Sequence, residues 1–102
     1  MSLADLDPIL QAPKRLAALA LVVNSQEVDF GFLREHLGLS DSDLSKQMSA
    51  LEKAGYVKVV KSGLGRGSTT WYRARVKGMS AFKKHMDALN ALAQDAAPTP
   101  ST

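Results

Sequence analysis

The chain has 102 residues, 45% of them hydrophobic, which is one domain's worth of sequence with a modest core. It holds no cysteine, which excludes disulfides and thiolate metal sites, and no apolar run approaches the roughly 18 residues of a membrane span. The net charge of +3 hides an asymmetry: residues 1–52 carry eight acids and four basic residues, whereas residues 53–86 carry nine basic residues and no acid, a single-sign block that attracts a polyanion.

The first residues, MSLADLDP, contain acids and no basic stretch, so they do not read as a signal peptide. Together with the missing cysteines this leads us to expect a cytoplasmic protein. Residues 1–6 read as a flexible N-terminus. Asp7 followed by Pro8 is a helix start, a cap and then proline at the first position. Pro13 interrupts that first turn and begins a longer helix from Lys14 to Val23, because the residue before a proline is pushed out of the helical region. Leu16, Leu19, Ala20 and Val23 give this helix its apolar face, and Arg15 reads as a solvated or salt-bridging residue. Asn24 and Ser25 break the pattern, and Gln26 to Val28 suit a very short strand. Asp29 caps a helix over Phe30 to Leu37, with Phe30, Leu33 and Leu37 as its apolar stripe and Gly38 as its end.

After a turn of about four residues, Gly38 to Asp41, residues 40–54 form the best-defined helix of the chain. Ser40 caps it, with Asp43 three residues on, and Asp41 and Asp43 place negative charge at the positive helix end. Gly55 stops it. Leu44, Met48 and Leu51 fall at spacings of four and three and share one buried stripe. Ser42, Ser45, Lys46 and Ser49 are left for the opposite surface, which is small, polar and basic enough to enter a DNA groove. Two helices joined by so short a turn have helix-turn-helix spacing.

Beyond Gly55 the period changes from helical to two. Residues 56–61 form a strand rich in β-branched and aromatic side chains, residues 62–68 (SGLGRGS) a glycine-rich loop, and residues 69–76 a second strand. In the second strand Tyr72, Ala74 and Val76 share one face and Trp71, Arg73 and Arg75 the other. The two strands form an antiparallel hairpin. GLGRG is no nucleotide-binding loop, because it joins two strands and has no GK[S/T] at a helix start. The last helix covers residues 77–94. Met79, Phe82, Met86, Leu89 and Ala93 recur at three, four, three and four, a seam suited to pairing with a second copy, while Lys83, Lys84 and His85 cover its outer face. Residues 95–102 read as a disordered tail.

The order helix, short strand, helix, helix, strand, wing, strand, helix is an α+β winged helix-turn-helix. The chain resembles the small stand-alone winged-helix DNA-binding regulators related to the MarR and ArsR types. The resemblance rests on LDPIL with PKRLAAL, on DFGFLREHLGLSDSDLSKQMSALEKAGYVKV, and on the glycine-containing wing with YRARVKG. It covers residues 6 to about 92. It implies a DNA-binding domain over 7–76 and a dimerising helix over 77–94.

It further implies that Ser42, Ser45, Lys46, Gln47 and Ser49 form the DNA-facing positions of a recognition helix. Gln47 stands where relatives often have histidine. Arg66 matches the wing tip, and Lys58, Lys61, Arg73 and Arg75 its basic surroundings; Arg75 replaces a threonine that usually caps the last helix. No metal site of the metal-sensing branch is matched, and no cofactor is expected.

The function expected is that of a homodimeric repressor that occupies double-stranded DNA. Any small-molecule effector would sit in the dimer interface or between the last helix and the first. The alternatives are a winged-helix protein-interaction module and a non-specific architectural DNA binder. An enzyme is not expected, since His36 and His85 are far apart and the serines have no histidine beside them.

Overall fold

The structure is a computed structural model and describes residues 3–62 and 69–95. Two prolines organise its beginning. Asp7 accepts a hydrogen bond from the Ile9 backbone N–H at 2.8 Å and caps a single 3-10 turn, Pro8–Gln11. Ala12 is extended (φ −88°, ψ 117°), as a residue before proline must be, and helix α1 starts at Pro13 and runs to Asn24. The stretch read as a flexible N-terminus contains a further 3-10 turn, Leu3–Asp5.

Which face of α1 is inside differs from the reading of its sequence. Ala18, Leu19 and Val22 are fully buried, while Leu16, Ala20 and Val23 lie at the margins. A stripe at 15, 18, 19 and 22 is as regular as the expected one. It puts the half-buried Arg15, expected to be solvated or salt-bridging, on the inner face, where it bonds to Gln47 and the Ile9 carbonyl.

Strand β1 is two residues long, Val28–Asp29. Asp29 caps α2, Phe30–Leu37, by accepting from the Phe32 N–H at 2.7 Å. Gly38 (φ 65°) ends α2, and after a three-residue turn α3 spans Asp41–Lys53. Ser40 Oγ accepts from the Asp43 N–H at 3.2 Å. At the other end Tyr56 N–H donates to Leu51 O and Gly55 N–H to Glu52 O, both at 2.9 Å. This Schellman arrangement needs the positive φ of Gly55, 81°. Both ends of α3 are therefore fixed by local chemistry. Its stripe of Leu44, Met48 and Leu51 is buried against α1 and the sheet.

Strands β2 (Val57–Ser62) and β3 (Thr69–Ala74) pair antiparallel, and β1 adds to the far edge of β3, giving the order β1-β3-β2. Tyr72 is paired with Val28 on one side and Val59 on the other, which ties the hairpin to the helical layer. The tip of the hairpin, including Arg66, lies outside the described residues, as does the tail beyond residue 95.

Val76 was expected to continue the second strand on the face of Tyr72 and Ala74, but it lies outside the strand and is 74% exposed. The strand ends at Ala74, and Val76 opens α4 (Val76–Gln94), where the helical turn sends its side chain outward. Helix α4 packs through Gly78, Ala81, Phe82, His85 and Ala88. Gly78 permits the contact, because a Cβ there would lie 2.1 Å from the Tyr56 carbonyl oxygen.

This inward stripe changes two expectations. His85 is 2% exposed rather than on the outer face, and its Nδ1 accepts from the Asp7 backbone N–H at 3.0 Å. Phe82 packs on the domain's own core, and Leu89 lies beside Leu10, Leu16 and His85. Of the proposed seam, Met79 and Ala93 are exposed and Met86 is half-buried. Tyr56 Oη donates to the Asp7 carboxylate that caps the N-terminal turn, so Asp7 joins that turn to α4 through its backbone N–H and to the turn after α3 through its side chain. Burial first, and then the Asp7 bond and charge, push the Tyr56 hydroxyl up to about 12.

Candidate nucleic-acid interface

With Leu44, Met48 and Leu51 turned inward, helical geometry turns Ser42, Ser45, Lys46 and Ser49 outward, and all four are exposed. Gln47 does not join them. It is 8% exposed, a correction to the set expected on the DNA side. Its position at 44, 47, 48 and 51 is part of the inward stripe, so the spacing already carried the signal. Gln47 Nε2 donates to Asp43 Oδ1 at 3.0 Å, and Gln47 Oε1 accepts from Arg15 Nε at 3.1 Å. Asp43 also accepts from Lys14 Nζ at 2.6 Å. The bonds from Lys14 and then Gln47 hold the Asp43 carboxyl below the usual carboxylate range.

Residues of α2, α3 and the hairpin enclose a cleft of about 230 Å³, with Ser45 and Ser49 on one wall and Lys61 and Thr70 on the other. Lys61 is paired with Thr70, and period two puts it on the sheet face that carries Tyr72. The structure thus brings Lys61 next to the outer face of α3. Tyr72 closes the back of the cleft; burial, and secondarily the charge of Glu52, raises its pKa.

Lys58 and Arg73 do not share that cleft. They are a cross-strand pair on the opposite sheet face, like charges that would repel. Arg73 Nε is bound to Glu27 Oε1 at 3.0 Å, which offsets the repulsion and reduces the charge Arg73 presents. Arg75 is exposed and stands at the N-cap of α4 without a side-chain cap bond. A cation there opposes the helix dipole. Lys77 Nζ lies 5.9 Å from the centre of the Tyr56 ring. The five basic positions expected around the wing therefore separate into Lys61 in the cleft, Lys58 and Arg73 behind it, Arg75 at the base, and Arg66 outside the described residues.

His36 is exposed and stacked on Phe32, with ring centres 5.3 Å apart. Among the described residues no group of three or more His, Cys, Asp or Glu side chains could hold a metal ion. No helix of the described residues is long and apolar enough to cross a membrane.

Residues 14–93 match the family described as winged helix DNA-binding domain. An uncharacterised protein of Methanocaldococcus jannaschii is 31% identical over 78 residues, 76% of this chain and 85% of that protein. The transcriptional regulator homologue from Pyrococcus horikoshii OT3 superposes with a TM-score of 0.78 at 26% identity, covering 83% of this chain and 84% of the other. The transcriptional repressor BigR from Xylella fastidiosa shares the fold with a TM-score of 0.64 at 22% identity, covering 86% and 83%. The chain belongs to the winged helix DNA-binding domain family, with a winged helix-turn-helix architecture.

Proposed function

We propose that the protein is a homodimeric repressor that binds double-stranded DNA sequence-specifically and acts by occupying an operator. One observation carries this reading. The exposed face of α3 presents Ser42, Ser45, Lys46 and Ser49, with Glu52 as the acid at its C-terminal end, and Lys61 lies across a cleft from Ser45 and Ser49. Such a face fits a major groove, where Lys46 donates to guanine edges and the serine hydroxyls meet bases or phosphates. Lys58, Lys61 and Arg75 supply phosphate contacts and the salt-dependent part of the affinity.

A twofold dimer would place two such helices about 34 Å apart, in successive major grooves. The exposed Met79 and Ala93 and the half-buried Met86 on α4 support that pairing. Occupancy of the duplex excludes other proteins from the same surface, hence repression. The test is a titration on fragmented genomic DNA at two salt concentrations, with the retained fragments sequenced and the mass of the free protein measured in solution. A palindromic site with half-sites one turn apart, bound by a dimer, is the expected result. Sequence-blind binding at low salt overturns specific recognition, and a monomeric mass at the binding concentration overturns the dimer.

A further inference from the structure

A recognition helix must be held in roll as well as in place. At a helix radius of about 5–6 Å, a roll of about 20° carries a side-chain tip by about 2 Å. That displacement exceeds the tolerance of a hydrogen bond to a base edge. An apolar stripe resists separation of two helices but only weakly resists rolling, because burial is non-directional. Hydrogen bonds supply the direction.

At the α1–α3 contact each helix gives one position of its inward stripe to a polar side chain: Arg15 beside Ala18, Leu19 and Val22, and Gln47 beside Leu44, Met48 and Leu51. The two are each other's partners, Arg15 Nε donating to Gln47 Oε1 at 3.1 Å. The other end of the Gln47 amide donates to Asp43 Oδ1 at 3.0 Å, so both ends of the side chain are engaged inside the protein. Arg15 Nη1 donates to Ile9 O at 3.3 Å in the N-terminal turn. That turn is in turn held to α4 by the bond from Asp7 N–H to His85 Nδ1. A chain of hydrogen bonds therefore runs from α4 through the N-terminal turn and Arg15 to the middle of α3.

We propose that Arg15 and Gln47 are positioning residues that fix the roll of α3 and so set the sequence specificity of DNA binding without touching DNA. The proposal rests on the DNA-binding reading of α3. Arg15→Met, Gln47→Met and the double variant keep length and helix propensity while removing the bonds. Binding by the full-length chain is measured to the fragment that the unaltered protein selects and to a random duplex of equal length, across a salt series, at a temperature where thermal unfolding shows every variant folded.

Each single variant is expected to lose about tenfold in affinity for the selected fragment, the size of one hydrogen bond to a charged group. Affinity for the random duplex and the salt slope stay unchanged, because no phosphate contact is removed. The double variant loses no more than either single one, since both break the same clamp. Arg15→Lys keeps the charge and a donor for Gln47 Oε1 and is the second variant should a methionine chain fail to fold; it retains the preference for the selected fragment.

Equal losses on both duplexes, additive losses in the double variant, a shallower salt slope in Arg15→Met, or loss of the preference in Arg15→Lys overturns the proposal. An unaltered protein that selects a fragment, with variants that select it equally well, overturns this inference alone. An unaltered protein that prefers no fragment overturns the DNA-binding reading and this inference with it.

Discussion

Gly78→Ala tests how closely α4 approaches the rest of the domain. A Cβ at this position would lie 2.1 Å from the Tyr56 carbonyl oxygen and 2.8 Å from its carbonyl carbon and Cα. Unstrained carbon contacts begin near 3.5 Å, so α4 and the turn at Tyr56 must part by about 1 Å. The atoms in the way are backbone and cannot rotate aside. Overpacking of this kind costs about 1–3 kcal/mol, at times more. The same Tyr56 carbonyl accepts from Arg75 N–H at 2.9 Å, a bond contributing about 1 kcal/mol that the displacement weakens. Alanine in place of glycine in a helix returns about 1 kcal/mol. The net is a destabilisation of about 2 kcal/mol, a fall in Tm on the order of 10 °C for a domain of this size. Gly31→Ala in α2 is the matched control, because the nearest atom to its Cβ, Asp29 Oδ1, is 3.7 Å away. It should gain about 0.5–1 kcal/mol. Urea and thermal unfolding followed by circular dichroism measure both. A Gly78→Ala protein as stable as its parent, beside a stabilised Gly31→Ala protein, would refute the close approach.

Other expectations concern the recognition helix and the Asp7 junction. Lys46→Ala should lower affinity for the selected site by about 1–3 kcal/mol and affinity for random duplex by less; equal losses in a competition titration rule out base reading by Lys46. Ser40→Ala removes the cap bond to Asp43 N–H and should cost about 1 kcal/mol in denaturant unfolding; an unchanged midpoint would mean the cap contributes nothing. The Tyr56 pKa is raised in the folded state to about 12. Its contribution is therefore complete below the unfolded value of about 10 and is lost as pH rises through about 12. Tyr56→Phe should cost about 1–3 kcal/mol at neutral pH and flatten that alkaline loss; a parent-like fall in stability between these pH values in Tyr56→Phe would sink the assignment.

Most of the secondary structure was legible because its signals are local. Asp7, Asp29 and Ser40 cap the segments they were expected to cap, and Gly38 and Gly55 end them with positive φ. The period change after Gly55 located the hairpin, and the exposure of Ser42, Ser45, Lys46 and Ser49 follows from the burial of Leu44, Met48 and Leu51. Where two periodic stripes competed, the sequence could not choose. Leu16, Leu19, Ala20 and Val23 were expected as the inner face of α1, and of these only Leu19 belongs to the fully buried stripe with Ala18 and Val22. In α4 an apolar seam drew attention from the stripe through His85.

The sequence by itself determined where the first three helices begin and end, because caps, prolines and left-handed glycines act within a few residues; the end of β3 at Ala74 and the start of α4 at Val76 carry no such signal. It also determined that the C-terminal half carries the positive charge. Only the tertiary structure decided which partners Arg15, Gln47, Asp7 and His85 meet. Polar side chains enter a core when a partner waits there, and these partners lie 32 residues apart for Arg15 and Gln47 and 78 apart for Asp7 and His85. No local pattern records such a meeting. It is fixed when α1 packs on α3 and the N-terminal turn packs on α4, and the burial of each group then depends on the other.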